Sequence, residues 1–408
     1  MATPQLRFKE FNGDWSLTLF QDLFTFKNGV NASKEQYGSG IKFINVLDII
    51  NNPNGITYES IIGSVNVTSK EIEKNLVQYG DVLFQRSSET REEVGQSNVY
   101  LSNEPVVFGG FVIRGSAQQD YDPIFINELL KTDSLRDQIT QLSGGSTRFN
   151  IGQDSLNKVS AYLPSKEEQT KIASFLSAVD EKISQLTQKH ELLSQYKQGM
   201  MQKLFSQQIR FKADDGSEFG EWEETTLGER GTFLKGKGIS KADIAEDGIL
   251  PCIRYGELYT IYGEIISNVI SATNLDRDSL ILSKANDVLI PASGETQIDI
   301  ATASCVLEDD IALSGDLNIY RTKENGAFLS YMIRSSLKMQ IAQLAQGNSV
   351  VHLYSSQLKS VQLSLPCLEE QTKIANFLSA IDQKIEVVAQ QIKQAKQWKK
   401  GLLQQMFV

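Results

Sequence analysis

Cysteine, histidine and surplus basic charge are all scarce in this chain. Its 408 residues include three cysteines and two histidines, and 40 Lys and Arg stand against 50 Asp and Glu, a net charge of -10. Cys252, Cys305 and Cys367 are odd in number and lie more than fifty residues apart. No disulfide framework or Cys-x-x-Cys metal pair follows from that spacing, and a reducing compartment fits it best. No run of about 18 apolar residues is present to cross a membrane. Met1-Ala2-Thr3-Pro4 opens no charged-then-apolar signal segment, so the expected location is the cytoplasm. Non-specific nucleic-acid binding draws on excess Lys and Arg, and the acidic balance speaks against a protein that coats phosphate indiscriminately. What is present is ordinary globular composition, 40% apolar and 9% aromatic, in a length that suits two to three folded units.

The charge is uneven. Residues 1–162 carry 14 basic and 19 acidic side chains, residues 163–210 carry 7 and 5, residues 211–364 carry 13 and 22, and residues 365–408 carry 6 and 4. Two acidic segments thus alternate with two Gln- and Lys-rich ones, a pattern that calls for a repeat search. Leu163-Pro164-Ser165-Lys166-Glu167-Glu168-Gln169-Thr170-Lys171-Ile172-Ala173 aligns with Leu365-Pro366-Cys367-Leu368-Glu369-Glu370-Gln371-Thr372-Lys373-Ile374-Ala375 at an offset of 202, and 16 of 21 positions match from residue 163 to 183. Upstream, Trp15, Phe26, Gly29, Ser33 and Lys34 pair with Trp222, Phe233, Gly236, Ser240 and Lys241. Asp81-Val82-Leu83 pairs with Asp287-Val288-Leu289. The chain is one unit written twice.

The polar segments read as helices. Ile172, Leu176, Val179, Ile183, Leu186, His190, Leu193, Lys197, Met200 and Leu204 alternate four and three apart. Ile374, Leu378, Ile381, Ile385, Val388, Ile392, Ala395, Lys399, Leu402 and Met406 do the same. A 3.5-residue period held over about five heptads is a coiled-coil seam. Ser165 supplies an N-cap oxygen and Glu168 completes a capping box, whereas Cys367 weakens the second cap. Lys197 and Lys399 fall on the seam near the helix ends, where a long side chain is expected to reach water. Antiparallel pairing of the two helices is the simplest arrangement, with parallel or intermolecular pairing left open. Gln5-Leu6-Arg7-Phe8-Lys9 repeats Gln208-Ile209-Arg210-Phe211-Lys212, which predicts adjacent termini.

The globular segments read as mixed α/β. Ile41–Ile50 and Asp81–Arg86 are strand-like, and Tyr121–Leu142 and Ala327–Leu344 have helical spacing. Catalytic chemistry is hard to find. His190 lies on the seam and reads as a polar register residue, and His352 aligns with Asn150 rather than with a second histidine. Gly231–Gly238 nearly spells a phosphate loop, but Gly238 stands where Ser or Thr would hold Mg²⁺, so the segment reads as a turn. Asp122-Pro123-Ile124-Phe125 approaches an adenine-holding loop of amino-methyltransferases, but it lacks the second proline and any glycine-rich cofactor loop. It reads as a turn before a helix.

Two diverged globular parts, each followed by a helix opening Leu-Pro-x-x-Glu-Glu-Gln-x-Lys-Ile-Ala, resemble the specificity subunit of type I restriction-modification systems over essentially the whole chain. The resemblance implies an α+β fold with two pseudo-symmetric target recognition domains, 1–162 and 211–364, separated by an antiparallel coiled coil of two long helices, 163–210 and 365–408. It also implies a non-catalytic subunit that reads a bipartite, asymmetric double-stranded DNA site, with the helices setting the spacing. Two methyltransferase subunits would dock on it, and restriction-translocase subunits would join. S-adenosylmethionine, ATP and Mg²⁺ would belong to those partners, and this chain would hold no cofactor or metal. Phosphate contact needs Lys, Arg or small polar donors, and base reading favours Arg, Asn and Gln. On that chemistry the expected DNA contacts are Lys27, Lys34, Lys42, Arg86, Ser87, Arg91 and Arg148 in the first domain. In the second they are Lys235, Lys237, Lys241, Ser293, Thr296, Gln297 and Asn348. Partner docking and the coiled coil are assigned to Glu168, Gln169, Ile172, Leu176 and Ile183, and to Glu370, Gln371, Ile374, Leu378 and Ile385. The rival readings are an assembly scaffold whose domains bind protein or carbohydrate, which the acidic charge favours, and a stand-alone nuclease or methyltransferase, which the missing motifs disfavour.

Overall fold

The computed structural model describes residues 3–347 and 350–408. Its contacts group the chain into two compact units: the N-terminal part up to Thr187 with Gln390–Val408, and Gln188–Ala389. The division runs through both long helices, so each unit holds the opening of one helix and the closing turns of the other.

In the first unit a four-stranded antiparallel sheet runs in the order Phe24–Asn28, Val112–Ala117, Val82–Gln85, Ser97–Val99. A second sheet pairs Tyr37–Ile44 with Ser64–Val65 and, in parallel, with Val107–Phe108. Ser16–Leu19 returns on Ser160–Leu163, the strand that leads into the first long helix. The core gathers Trp15, Phe20, Phe24, Phe84 and Phe125 around Ile172 and Leu176, with Leu402, Met406 and Phe407 from the far end of the second helix. Strand character predicted for Ile41–Ile50 stops at Ile44. Asn45 accepts the Leu47 N–H (2.8 Å) and caps the helix Val46–Asn51, so a short polar cap overrides the apolar run around it. The predicted Tyr121–Leu142 helix is two, Pro123–Leu129 and Asp133–Gln141. Asp122 caps the first by accepting the N–H of Ile124 and Phe125 (3.0 and 3.1 Å), with Pro123 at its first turn.

The second unit repeats this plan. A five-stranded sheet orders Gly231–Lys235, Leu317–Thr322, Val288–Pro291, Ser304–Val306 and Ile265–Ile266, and a four-stranded sheet centres on Leu250–Ile253 and Ala312–Leu313. Residues 231–235, expected as part of a turn, are a strand. Phe233 pairs with Tyr320 across it, and the turn proper begins at Gly236. Gly326–Arg334 and Lys338–Leu344 take the place of the single helix expected there.

The long helices are Lys166–Phe205 and Leu368–Met406, of 40 and 39 residues. The predicted seam is buried or half-buried throughout: Ile172, Leu176, Val179, Leu186 and Leu204 on the first, and Ile374, Leu378, Ile381, Val388 and Leu402 on the second, are buried. Ile183 and Ile385 are half-buried. Within each unit the two helix segments run antiparallel. In the first, Ile172 and Leu176 at the opening of one helix share a core with Leu402 and Met406 at the close of the other, and further along Asp180 meets Lys399 at 2.7 Å. Lys197 and Lys399 do not reach for water, as their position near the helix ends had suggested. Lys399 pairs with Asp180 and with Glu128 (3.0 Å), and Lys197 with Asp382 (2.6 Å) and Glu264 (2.8 Å). Both lysine side chains are only 15% exposed. Carboxylates from the opposing helix and from the adjoining domain satisfy the ammonium where it lies, so the stem has no reason to extend. The Tyr331 hydroxyl donates to Asp382 (2.5 Å) in the second cluster. In the first unit the Leu6 N–H donates to Gln405 O (2.8 Å), as the Ile209 N–H does to Lys203 O (3.2 Å) in the second.

Among the described residues no helix is long and apolar enough to cross a membrane.

Candidate nucleic-acid interface

Each globular domain presents two neighbouring edges where polar side chains gather. The first is the turn after the opening strand of the main sheet. Phe26 and Phe233 pack inward from that strand, and Gly29 and Gly236 end it. A Cβ on Gly29 would sit 2.3 Å from Gly109 O, and one on Gly236 only 1.9 Å from Ser314 O. The Phe-x-x-Gly spacing is therefore a close backbone approach to a neighbouring loop. Beyond it Lys34 and Lys241 open equivalent short 3₁₀ turns, Lys34–Gln36 and Lys241–Asp243. Ser33 and Ser240 cap these turns, and both lysines are exposed. In the second domain Lys235, Lys237 and Lys241 line one cleft of about 1010 Å³ together with Arg254, Tyr255 and Tyr259.

The first domain spends its lysines differently. Lys42 donates to Tyr58 O (2.7 Å) with its ammonium 4.3 Å from the Tyr58 ring centroid. Lys27 donates to Lys74 O. Burial, with Arg114 and Lys74 close by, lowers the Lys27 ammonium below the ordinary lysine range. Only Lys34 of these three is held out in solvent.

The second edge is a short two-stranded ladder. Ser87–Ser88 pairs with Phe149–Asn150, and Ser293–Gly294 with Val351–His352. In the first ladder Ser87 stands opposite Asn150 with Arg86 beyond it at one end, and Arg148 flanks the other end, 3.9 Å from Glu89. Arg86 is exposed and donates through Nη1 to Gly110 O (3.3 Å). Arg91 is laid back across the Asp133–Gln141 helix, its Nε donating to Thr140 O (3.2 Å). In the second domain the Ser293 hydroxyl and His352 Nδ1 are 3.3 Å apart. Thr296 caps the short helix Gln297–Ile300, with its hydroxyl donating to Asp299 (2.7 Å), and Gln297 donates to Ala345 O (3.2 Å). Asn348 lies outside the described residues.

Sequence reasoning assigned no interface role to Asn150 and His352, or to Arg254, Tyr255 and Tyr259. The first signal was in the sequence all along: His352 aligns with Asn150, one polar residue exchanged for another at one register. The Arg254 group carried no sequence signal, because the fold alone brings residues 254–259 beside residues 235–241.

The model for the type I restriction modification DNA specificity domain matches this sequence twice, over residues 12–195 and 220–397. The chain belongs to that family. A putative type I restriction enzyme MjaX specificity subunit of Methanocaldococcus jannaschii is 25% identical over 405 residues, covering 97% of this chain and 93% of that protein. The MjaVIII specificity subunit of the same organism is 25% identical over 356 residues, covering 83% of this chain and 80% of that one. Among solved structures, the S subunit of the type I restriction-modification system from M. genitalium aligns with a TM-score of 0.57 at 17% identity, covering 100% of this chain and 99% of that one. The HsdS subunit from Thermoanaerobacter tengcongensis aligns with a TM-score of 0.53 at 16% identity, covering 97% of each chain. These structures share the fold.

In this specificity subunit the helix-opening motif faces inward. Glu168, Gln169, Glu370 and Gln371 are all buried. Arg7 holds Glu168 through two bonds of 2.7 Å, and Arg210 holds Glu370 at 3.1 and 2.8 Å. Gln169 accepts the Asp122 N–H (3.0 Å) and donates to Pro164 O (3.1 Å), and Gln371 does the same with Asn325 (3.0 Å) and Pro366 (2.9 Å). The capping box expected at Glu168 is half-formed. Its N–H reaches Ser165 Oγ at 3.4 Å, while its carboxylate turns to Arg7, a charged donor that outcompetes a neutral amide. The motif is a staple between each recognition domain and its own helix, and these four polar groups are spent inside the unit instead of being offered to a partner.

Proposed function

We propose that this specificity subunit reads a bipartite, asymmetric duplex site, each recognition domain taking one half, while the two helices fix the separation and dock two methyltransferase subunits. Residues 1–162 and 211–364 act as the readers, and 163–210 and 365–408 as the spacer. Half-sites one helical turn apart, roughly 34 Å, face the same side of the duplex. The carrying observation is that one scaffold occurs twice with the same staple, Arg7–Glu168 and Arg210–Glu370, while the loops at its polar edges differ. A repeated frame with divergent edges suits two readers of different sequences. The net charge of -10 fits a subunit whose phosphate contacts come largely from its partners, which would also bring S-adenosylmethionine, ATP and Mg²⁺ and, for restriction, the translocase-nuclease.

The test is to co-purify the chain with its methyltransferase subunit and sequence methylated adenines after incubation with genomic DNA. Two short motifs at fixed spacing are expected; no recurrent motif would end the reading. Lys34→Ala with Lys241→Ala should lower duplex affinity and flatten its salt dependence with the fold intact.

A further inference from the structure

The two recognition domains carry one cleft each at the same place in the fold, and the two are lined by opposite chemistry. In each domain the cleft opens beyond a pair of parallel strands, Tyr37–Ile44 with Val107–Phe108 and Leu250–Ile253 with Ala312–Leu313. Ile44 stands opposite Phe108, and Ile253 opposite Leu313, which fixes the equivalences. One residue further, Asn45 matches Arg254 and Val46 matches Tyr255. Asp48 and Glu257 then take the same role, accepting the main-chain N–H of Asn45 (2.8 Å) and Arg254 (3.0 Å). Val30 and Lys237 donate their amides to Phe108 O and Leu313 O, both at 2.9 Å. On the facing loop Phe111 matches Asp316, each three residues past its strand partner.

The walls then part company. In the first domain a cleft of about 490 Å³ is lined by Tyr37, Val46, Leu47, Ile62 and Phe111, with no charged side chain. Ile62 is 95% exposed, Phe111 66% and Leu47 63%. In the second domain the wider cleft is lined by Lys235, Lys237, Arg254, Tyr255, Glu295 and Asp316. Arg254 is braced by Glu257, which is buried and accepts from its Nε (3.1 Å). Ile239, a buried β-branched residue in the wall of this cleft, is held at φ 58°, strain of the kind that gathers at working sites.

An exposed apolar wall marks a contact surface, and its neighbours say which. The first cleft lies between the Lys34 turn, which ends at Tyr37, and Arg86, whose N–H donates to Phe111 O (2.9 Å) and whose guanidinium reaches Gly110 O. An apolar surface flanked by cations, and at the same address a mixed-charge surface where Arg254 stands beside Lys235 and Lys237, have one natural ligand in common. The major groove presents both a thymine methyl and the paired acceptors of guanine.

We propose that these equivalent clefts are the base-reading elements, the first taking a thymine methyl against Leu47, Ile62 and Phe111, the second a guanine on Arg254. This rests on the duplex-reading function proposed above. The test uses the full-length subunit with its methyltransferase partner and a pool of randomised duplexes. Wild type should enrich two short motifs. Arg254→Ala should cost about tenfold in guanine preference at one position of one half-site and leave the other half unchanged. Arg254→Lys, which keeps the charge but not the fork, should lose the same preference with an unchanged salt slope. Ile62→Ser with Phe111→Ser, both on the surface, should lose thymine preference in the other half alone. Replacing thymine by deoxyuracil in that half should weaken wild type about fourfold, the worth of one methyl, and leave the double variant indifferent. Wild-type motifs retained by both variants would overturn the assignment, as would duplex preferences kept while methyltransferase assembly is lost, which would make the first cleft a protein surface. Failure of wild type to enrich any motif would instead sink the duplex reading beneath it.

Discussion

The seam lysines of the two helices are held alike but by acids from different places. Lys399 meets Asp180 on the opposing helix and Glu128 from the Pro123–Leu129 helix. Lys197 meets Asp382 at the position equivalent to Asp180, but there Tyr331 stands where Glu128 stood, and Glu264 from a distant strand end supplies the second carboxylate. A cation follows each cluster, Lys131 beside Glu128 and Arg334 near Glu264 and Asp382. The requirement that survives divergence is therefore a neutral buried cluster, not a particular residue. A buried polar group on a seam is known to fix register and orientation at some cost in stability. The recognition domains were free to change which residue supplied the charge as long as the sum was kept.

Four measurements would break or sharpen the comparison of the two units. The largest effect is expected at the staple. Glu370→Ala leaves Arg210 without its carboxylate and the Trp222 indole without its acceptor and should cost about 3–5 kcal/mol in chemical denaturation. Glu168→Ala should cost somewhat less, because the Trp15 indole makes no such bond in the first unit. Next come the paired aspartates. Asp287 takes two bonds from Arg321 at 2.8 and 2.7 Å, whereas the arginine beside Asp81, Arg114, stands 3.6 Å away. Burial, partly offset by the Gln78 N–H and Arg114, holds the Asp81 carboxyl above the usual aspartate range. Its ionised form is thus a cost that falling pH relieves. Asp287→Asn should lose about 2 kcal/mol, and Asp81→Asn less than about 1. Equal losses at the two aspartates would mean that the units share one electrostatic design.

A third effect appears in alkali. Burial opposes the Lys399 charge, but Glu128 and Asp180 overcome it and hold its ammonium above the ordinary 10.5. With the folded value raised, the contribution is fully present below that pH and is lost as pH climbs through the folded value. An alkaline stability titration of Lys399→Met should therefore be flatter than that of wild type. The smallest effect lies at the caps. Ser165→Ala should lose, and Cys367→Ser gain, up to about 1 kcal/mol in thermal melts.

The long helices, their seam and the duplication were legible because heptad spacing and a near-identical motif are local signals. The lysine clusters were not, because Glu264 lies far from Lys197 in sequence and no periodicity connects them. The strand predicted through Ile50 failed at Asn45, where one cap ends a strand inside an apolar run. Of the candidate interface, the equivalent placing of Lys34 with Lys241 and of Ser87 with Ser293 was readable from recurrence. Lys42 and Lys27 were named for their charge alone, and the structure gives that charge local employment in Tyr58 and Lys74. Arg254 and the apolar cleft needed the fold, since their partners come together only across the sheets.

The bond from Leu6 N–H to Gln405 O has a kinetic consequence. The closing turn of the second helix and the segment from Leu6 to Phe8 are zipped to one another, with Arg7 on Glu168 and Phe8 5.7 Å from Phe175 as the teeth behind them. Neither end can fray alone. Amide deuterium uptake at Leu6 and in the last turn before Met406 should rise together, at a rate set by opening of the whole clasp and not by helix-end breathing.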